Sequence, residues 1–507
     1  MGRYKDYSYE QTKIIEVCYG NQILPGTFEY TLNKVIDSID LLIFNDHYHN
    51  DITGATAYDP RILLKIVLYA YSKGIIFSRR IAQLCRTNIV FIALSADTHP
   101  HFTTIADFVS SMQDEIIGIF RHVLQICMEL DLIDCSMFAI DGVKLPSNAS
   151  KEWSGTKADL LKKKEKLEQA LKYMVEQHRQ RDKKKDDSED CERFTHRLER
   201  ARKKIAKLEQ WLENNEDKRS KRGRISQSNV TDNESAKMMT AHGVIQGYNG
   251  IAVVDEKHQI VVNAEAFGIS QDQGLLKPAL EGTKETLQAM GKGKNALKKA
   301  VVTADTGFHS VESLEYIEQE KIDGYVPDCN FRKRDPRFVT AVRHKERSDP
   351  EKWGKYVFDH SDFTYVKRGD YYRCPAGNRL EHKKADLSAN GITYRKYVSK
   401  QRLCTVCKLR QQCLTRESHK VRSIFLRSDK GDNYCDRMAA KIDTEEGRKI
   451  YSKRMAIVEP VFGNLRWSKG ISRFTLRSKR KVNNQWLLYC MVHNIEKILN
   501  FGYPKAA

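Results

Sequence analysis

Apolar positions recur every three to four residues over much of the first 130 residues, which is the spacing of amphipathic helices. The longest such run, from 62 to 70, follows Asp59-Pro60. Proline suits a helix start because the first turn leaves its N–H groups unbonded and proline has none. Shorter runs of the same kind lie at 78–85 and 103–108. The pattern predicts an all-helical domain over residues 1–130.

Beyond residue 136 the pattern changes to short apolar runs of strand length that alternate with helical stretches. The predicted strands lie at 136–141, 243–255, 259–267, 300–304 and 323–327, with an interruption at Gly247–Gly250 in the second strand. The predicted helices lie at 275–290 and 311–320, before and after the fourth strand. The order β-β-β-α-β-α-β predicts an α/β fold with flanking helices.

Two segments interrupt this order. Residues 157–214 are dense in Lys, Glu and Arg and are broken by the charged stretch 181–190, which predicts a helical hairpin. Residues 330–436 are rich in Arg, Lys, Tyr, Gly and Cys and predict a small β domain, after which 445–500 reads as helical. The predicted units are a charged helical-hairpin insertion at 150–225, a Cys-rich insertion at 330–436 and a sheet domain at 131–329 and 437–507.

The charge balance points to a polyanionic partner. Among 507 residues, 86 Lys and Arg stand against 66 Asp and Glu, which gives a net charge of +20. Such a surplus favours nucleic acid, and a solvated basic surface is the alternative. No uncharged apolar run reaches the roughly 18 residues of a membrane span, and the N-terminus lacks the apolar centre of a signal peptide. We therefore expect a cytoplasmic protein without a membrane partner.

Asp141 and Asp305 each directly follow a predicted apolar strand. If the two strands are neighbours, their carboxylates meet at one point, as the paired Mg²⁺ ions of phosphodiester-cleaving enzymes require. For a single Asp after a strand, the alternative is that it opens a turn. Other acids also flank predicted strands, and none of them is predicted as a metal ligand: Asp232, Asp255, Glu265 and Asp272.

Residues 451–466, YSKRMAIVEPVFGNLR, resemble the C-terminal signature of DDE-class insertion-sequence transposases. In that signature a Tyr and an Arg precede a catalytic Glu, which is followed by Phe-Gly and a basic residue. Two departures are a spacing of eight residues from Tyr451 to Glu459, one more than is commonest, and Arg466 in place of the frequent Lys. The family resemblance extends to FAIDGVK at 138–144, VTADTGF at 302–308, NVTD at 229–232, GYN at 247–249, and DPRILLKIVLYAY at 59–71 followed by SRR.

The resemblance implies an RNase H-like fold and a DNA transposase that binds the terminal inverted repeats of its element and catalyses Mg²⁺-dependent strand cleavage and transfer. Asp141, Asp305 and Glu459 would hold two Mg²⁺ ions, with Mn²⁺ as a substitute. Arg454 and Arg466 would contact phosphate, supported by Tyr451. The candidate DNA-binding residues are Arg79, Arg80, Lys144, Arg473, Arg477, Lys479, Arg480 and Lys481.

The implied partners are double-stranded DNA, both element ends and target, and a second copy of the chain in a synaptic complex, with the protein associated with the nucleoid. Two alternatives stay open. One is a DNA-binding protein derived from a transposase that no longer cuts, and the other is an RNase H-like nuclease of repair or RNA processing. Trp467, just after the signature, could stack on an unpaired base, but a Trp beside an apolar helix is more often a core residue.

Four cysteines fall within about 40 residues of the predicted β insertion, at a spacing typical of zinc sites. They are Cys374, Cys404, Cys407 and Cys413. Four thiolates complete a tetrahedron around a structural Zn²⁺, which would stabilise an insertion too small for a large core. Redox-active cysteines are the alternative. Cys85, Cys127 and Cys490 lie on apolar helical faces and are predicted to be core residues.

Overall fold

The structure is a computed structural model that describes residues 18–40, 44, 56–182, 189–219, 225–293, 295–338, 358, 360, 362–383, 387–389, 392–414, 418–427 and 433–502. Part of the charged stretch at 181–190 and much of the N-terminal half of the predicted Cys-rich insertion lie outside these ranges. In the described part, no helix is long and apolar enough to cross a membrane.

Within residues 18–40 and 56–129, six α-helices precede the first strand, in agreement with the apolar spacing. They are α1 (Phe28–Ser38), α2 (Pro60–Ser72), α3 (Ser78–Thr87), α4 (Ile89–Leu94), α5 (Phe102–Ser111) and α6 (Gln113–Glu129). Pro60 opens α2, and the carboxylate of Asp59 caps that helix by accepting a hydrogen bond from the Arg61 N–H at 2.8 Å. Ten successive residues of α2, from Leu63 to Ser72, are buried, so α2 lies at the centre of the helical region.

The helical hairpin follows the first long strand. The elements are β1 (Met137–Pro146), β2 (Ser154–Gly155), α7 (Lys157–Asp182), α8 (Glu189–Asn214), β3 (Lys218–Arg219), β4 (Ile225–Ser226) and β5 (Ser228–Asn229). At the base of the hairpin, Leu160 and Leu208 pack with Trp211 and Val230 in a small core of their own. The charged hairpin is thus anchored beside β5.

The central sheet contains β1 together with β6 (Ala236–Thr240), β7 (Gly243–Asp255), β8 (Val261–Phe267), β9 (Val301–Ala304) and β10 (Asp323–Tyr325). Helix α9 (Leu276–Ala289) connects β8 to β9, α10 (Val311–Gln319) connects β9 to β10, and the short α11 (Phe331–Arg334) follows. The strand order is β10-β9-β1-β7-β8, and β6 extends the edge by pairing with the start of β7.

The strand pairs on one side of β1 are parallel and those on the other side are antiparallel: β9 runs parallel to both β1 and β10, and β7 runs antiparallel to β1, β6 and β8. This mixed sheet confirms the predicted α/β fold class with RNase H-like strand order. Strand β7 is continuous through Gly247–Gly250, so the predicted interruption is wrong. The two glycines are needed for packing and do not break the strand. Gly247 packs against the Leu145 carbonyl and Gly250 against the Trp486 ring, and a side chain at either position would clash.

The Cys-rich segment forms a second antiparallel sheet. It contains β11 (Thr364–Val366), β12 (Tyr371–Arg373), β13 (Arg379–His382), β14 (Leu387–Ala389), β15 (Ile392–Ser399) and β16 (Ser423–Arg427), with short helices α12 (Gln401–Thr405) and α13 (Arg410–Cys413) before β16. Among its described residues, the core contains Phe363, Tyr372, Leu380, Tyr397 and Ile424. A core this small supplies little hydrophobic stabilisation, so a further constraint is expected.

Three helices complete the chain: α14 (Tyr434–Asp443), α15 (Glu445–Gly463) and α16 (Lys479–Lys497). Most of the segment predicted as helical, 445–500, is helical, but a π-helical turn at Asn464–Ser468 ends α15 and residues 469–478 are not helical. Helix α16 is buried on all sides from Val482 to Ile495. It packs on β8 and also on α2, α5 and α6, so the N-terminal helices and the sheet share one hydrophobic core.

Candidate active site

Asp141 and Asp305 lie side by side at the centre of the sheet. Strands β1 and β9 are parallel, and Ile140 pairs with Ala304 in the last step of their ladder. The next residue on each strand is Asp141 and Asp305, so both carboxylates project from the point where β9 ends and β1 loses its neighbour. Two acids 164 positions apart in the sequence therefore meet, as the strand-end pattern predicts.

Arg454 bridges the two aspartates. It lies on α15, which crosses the sheet, and the residue is only 8% exposed. Its Nη1 donates to Asp141 Oδ2 at 3.0 Å and its Nη2 donates to Asp305 Oδ1 at 3.3 Å. The Tyr451 hydroxyl, one helical turn earlier, lies 3.5 Å from Asp305 Oδ1. Both signature residues therefore point at the predicted acidic pair.

The electrostatics of the pair reflect burial. Burial raises the pKa of Asp141, and the negative charge of Asp305 adds to this, while the Arg454 guanidinium and the Gly142 N–H act in the opposite direction. Burial also raises the pKa of the Tyr451 hydroxyl. Arg454 Nε is buried and has no hydrogen-bond acceptor among the described atoms. The guanidinium therefore supplies the positive charge that two adjacent carboxylates require, and retains one donor for another acceptor.

Glu459 is not brought to this pair. It is exposed, and it lies five residues beyond Arg454, which on an α-helix is about 7.5 Å along the axis and about 140° around it. Arg466, in the π-helical turn, is also exposed. Among the described residues, no group of three or more His, Cys, Asp and Glu side chains is close enough to hold a metal ion. The site as described is two aspartates, one arginine and one tyrosine.

The other acids beside the strands make protein contacts. Asp255 opens a turn, as predicted, by accepting the Lys257 N–H at 3.0 Å, and it also accepts the Cys135 N–H at 2.9 Å. Burial raises the pKa of Asp255 to about 6. Asp232 is buried and both of its oxygens accept from the Tyr248 hydroxyl at 2.9 Å. These two contacts hold loops to the sheet.

Asp272 differs from them because it lies beside the acidic pair's own loops. One of its oxygens accepts a hydrogen bond from Asn249, and the other approaches Gly307, two residues beyond Asp305. The sequence pattern gave no reason to favour Asp272 over the other acids. The glycines near the two aspartates could have indicated that another group packs there: Gly142 directly follows Asp141, and Gly307 lies two residues after Asp305. A glycine without a side chain leaves room for such a group.

Of the N-terminal candidates for DNA contact, Arg79 and Arg80 lie on the exposed face of α3, whose other face carries the buried Ile81 and Leu84. Arg79 stacks its guanidinium 4.8 Å from the centre of the Phe102 ring, and Arg80 donates to Gln83 at 2.8 Å. Lys144, on β1, is partly buried. The two arginines are therefore positioned by protein contacts and remain open to solvent.

The basic run after the signature is partly held by protein contacts. Arg477 donates to the Asn148 carbonyl at 2.9 Å, Lys479 pairs with Glu265 at 2.6 Å, and Arg480 lies 3.6 Å from Asp114. Arg473 makes longer contacts of 3.5 Å to the loop after β1, and Lys481 is exposed. Arg473 and Arg477 therefore lie against the segment that follows β1.

Trp467 is 84% exposed, so its interpretation as a core residue is wrong. It lies in the π-helical turn that ends α15, where the neighbouring Leu465 is buried in its place. Cys85, Cys127 and Cys490 are buried core residues, as predicted. The indole is exposed next to the exposed Arg466, and stacking of Trp467 on an unpaired base stays a prediction.

The four cysteines of the second sheet line one pocket. All four are free thiols: Cys374 in the turn after β12, Cys404 in α12, Cys407 after it, and Cys413 at the end of α13. Burial raises the pKa of the Cys413 thiol, the nearby Arg422 lowers it, and the other three thiols raise it further. The fold therefore brings the four thiols to one pocket. Among the described residues, however, no group of three or more His, Cys, Asp and Glu side chains is arranged to hold a metal ion.

Two regions of the chain match known families. Residues 373–499 match the family described as Transposase DDE domain, and residues 17–111 match the Transposase domain (DUF772). The first match includes Tyr451, Arg454 and Glu459, and the second includes α1 to α5. A comparison with curated proteins finds no match.

The sheet that carries the two aspartates lies between two segments that match transposase domains, one of them a DDE domain. Both matches support the resemblance to DDE-class insertion-sequence transposases found in the sequence.

Proposed function

We propose that this chain binds the terminal inverted repeats of its insertion sequence and catalyses divalent-metal-dependent cleavage and transfer of the DNA strands. The observation that carries the proposal is the meeting of Asp141 and Asp305 on neighbouring parallel strands, both bonded to Arg454. The match of residues 373–499 to a transposase DDE domain supports DNA as the substrate.

The acidic pair fits a divalent cation because Mg²⁺ and Mn²⁺ prefer carboxylate oxygens. Asp141 and Asp305 would hold it, with Glu459 as the proposed third ligand after movement of its exposed side chain toward the sheet. When bound, the cation supplies stabilisation of the charge that develops on the phosphodiester oxygens. Arg454, with its free Nε donor, would hold a phosphate oxygen beside the acids, and Tyr451 would keep that arginine in place.

We further propose that DNA follows the exposed face of α3 and the edge where β1 ends. Arg79 and Arg80 lie on the first surface, and Arg473 and Arg477 lie on the second, with the exposed Lys481 following them in the chain. Contacts of this kind position the backbone without reading the base sequence. Because two ends must be cut and joined, the acting species is proposed to be a dimer. The converging cysteines are proposed to hold a structural Zn²⁺ in the second sheet.

One observation favours a second candidate, a DNA-binding protein that no longer cuts. Glu459 is exposed and apart from the aspartates, and Arg454 fills the place where the two carboxylates meet. A site fixed in this form would bind DNA without cleaving it. The two candidates differ in one measurable property, which is strand cleavage.

The test is cleavage of a plasmid that carries the flanking inverted repeats, with Mg²⁺ or Mn²⁺, by the full chain. Wild type is expected to nick at the repeat ends, and Asp141→Asn is expected to lose at least a hundredfold in rate while binding the ends with unchanged affinity in a gel-shift assay. The matched control is Asp131→Asn, an exposed acid whose side chain is 87% accessible. End binding without cleavage by wild type would support the non-cutting candidate instead.

A further inference from the structure

The second sheet, formed by β11 to β16, has a core face and an outer face. Side chains alternate between the two faces of a strand, and paired residues of antiparallel strands lie on the same face. The core face carries the buried strand residues Tyr372, Leu380, Tyr397 and Ile424. The outer face carries the residues between them: Tyr371, Arg373, Arg379, Glu381, Lys396 and Phe425.

Two arginines lie directly opposite each other on the outer face. Arg373 ends β12, Arg379 begins β13, and the two are partners in the ladder next to the turn at 374–378. Both are exposed, and neither forms an ion pair with a described residue. Like charges directly opposite across a strand pair destabilise it. An anionic group bound between the two guanidinium groups would remove this repulsion.

Two aromatic rings on the outer face each have a cation beside them. The Arg379 guanidinium lies 4.6 Å from the centre of the Tyr371 ring, and Lys396 Nζ lies 5.5 Å from the centre of the Phe425 ring. Phe425 is 47% exposed, so its ring is not needed to fill the core. Such a ring is available to stack on a flat ligand.

The outer face has little negative charge to balance these cations. Among its described strand residues the acid is Glu381, which already pairs with Lys400 at 3.2 Å. Asp370 is bonded to the hydroxyls of Tyr365 and Tyr397 at 2.8 and 2.5 Å, and both tyrosines lie on the core face. The surplus of positive charge beside an exposed ring complements a phosphate backbone that carries bases.

We propose that the outer face binds a single strand of DNA, with Arg373, Arg379 and Lys396 on its phosphates and Phe425 stacked on a base. A single strand fits better than a duplex because its bases are free to stack on a protein ring, whereas those of a duplex are stacked on one another. The binding is expected to tolerate any base sequence, since every base has an aromatic face. This inference rests on the proposed function for DNA as the partner, and it adds a surface on a different sheet from the acidic pair.

The experiment measures binding of the full chain to a fluorescent single strand of mixed sequence, by anisotropy at several salt concentrations. Arg373→Gln is expected to lower the slope of log affinity against log salt by about 0.7 and to weaken binding about fivefold at about 0.1 M salt, because one phosphate contact is lost. Phe425→Ala is expected to weaken binding about fivefold or more and to leave the slope unchanged, because stacking involves no counterion.

The matched control is Arg395→Gln, which removes an exposed arginine of the same sheet from the core-face side of β15. It is expected to bind the strand as wild type does. A loss in Arg395→Gln equal to that in Arg373→Gln would overturn the proposal, because it would show a general effect of charge.

A cross-link locates the strand independently of affinity. A strand that carries 5-iodouracil is irradiated in complex with the full chain, and the linked peptide is identified by mass spectrometry. A cross-link to Phe425 supports the proposal. Binding by Arg373→Gln and Phe425→Ala as tight as that of wild type, with no cross-link in the second sheet, overturns it and leaves the proposed function intact, since plasmid cleavage is measured separately.

Three further outcomes separate the proposed strand from other partners. Equal losses on duplex DNA in both variants would overturn the choice of a single strand. Displacement of the strand by polyglutamate at the same concentration of charge would overturn nucleic acid as the occupant, in favour of an acidic peptide. If wild type binds neither the single strand nor the element ends, the proposed function itself is contradicted.

Discussion

Arg454 should hold the acidic pair together in the absence of metal, and replacing it with Met tests this directly. The substitution keeps most of the side-chain volume and removes the charge that bonds to Asp141 at 3.0 Å and Asp305 at 3.3 Å. Breaking a fully buried ion pair costs about 3–5 kcal/mol, and exposed pairs are worth about 0–1 kcal/mol. Because the aspartate side chains are 28% and 43% exposed while that of Arg454 is 10% exposed, we expect an intermediate loss of about 1–3 kcal/mol.

The assay is urea unfolding at neutral pH, first in EDTA and then in excess Mg²⁺. In EDTA, Arg454→Met is expected to lose the stated stability, and adding Asp141→Asn and Asp305→Asn should restore most of it. In Mg²⁺, Arg454→Met should gain more stability than wild type does, because the cation replaces the guanidinium. Lys453→Met is the control on the same helix, since its bond to Glu256 is half-exposed and worth less than about 1 kcal/mol. An Arg454→Met protein as stable as wild type in EDTA would falsify the bridging role.

Further predictions concern other parts of the chain. Burial lowers the pKa of His493 to about 4 from the usual value near 6.5, so folding should lose up to about 3 kcal/mol as pH falls from 6.5 to 4. Urea unfolding against pH measures this, and a His493→Gln protein with the same pH dependence would contradict it. Zinc analysis of the purified chain should give one Zn²⁺, lost in a Cys404→Ser and Cys407→Ser protein; a metal-free wild type refutes that site. Trp467→Ala should weaken binding to ends with unpaired bases at least fivefold and leave duplex binding unchanged, as measured by fluorescence anisotropy; equal losses on both DNAs would contradict stacking.

The elements that were predictable have a strong periodic pattern or a start signal. Helix α2 was identified by Asp59-Pro60, and β1 and β9 by apolar runs that each end at an aspartate. The sequence could place both aspartates in one site because parallel neighbouring strands end at the same edge of a sheet. Tyr451 and Arg454 were selected by the family signature, and both contact the aspartates in the structure.

Other features depend on contacts that no local pattern records. Strand β6 was not predicted because its residues, Ala236–Thr240, alternate weakly and owe their conformation to pairing with β7. The non-helical stretch 469–478 was not predicted because it depends on tertiary packing. Its Phe474 ring packs edge-on against the Trp486 ring of α16. Trp467 was misjudged because apolarity favours burial, whereas the π-helical turn directs Leu465 inward instead.

Asp272 shows the same limit for the site. Its sequence context does not separate it from Asp232 and Asp255, which hold loops to the sheet. Only the folded chain brings it to Asn249 and Gly307. Single-residue context thus identified acids near strands, and tertiary contacts decided which of them lie beside the acidic pair.

The most direct measurement is the position of Mn²⁺ in crystals of the chain bound to its element ends, located by anomalous scattering. We expect an ion within about 2–2.5 Å of oxygens from both Asp141 and Asp305, with the Arg454 guanidinium displaced toward the DNA phosphate. A Mn²⁺ ion bound elsewhere, with Arg454 still bonded to both aspartates beside the scissile phosphate, would contradict the claim that this pair is the catalytic centre.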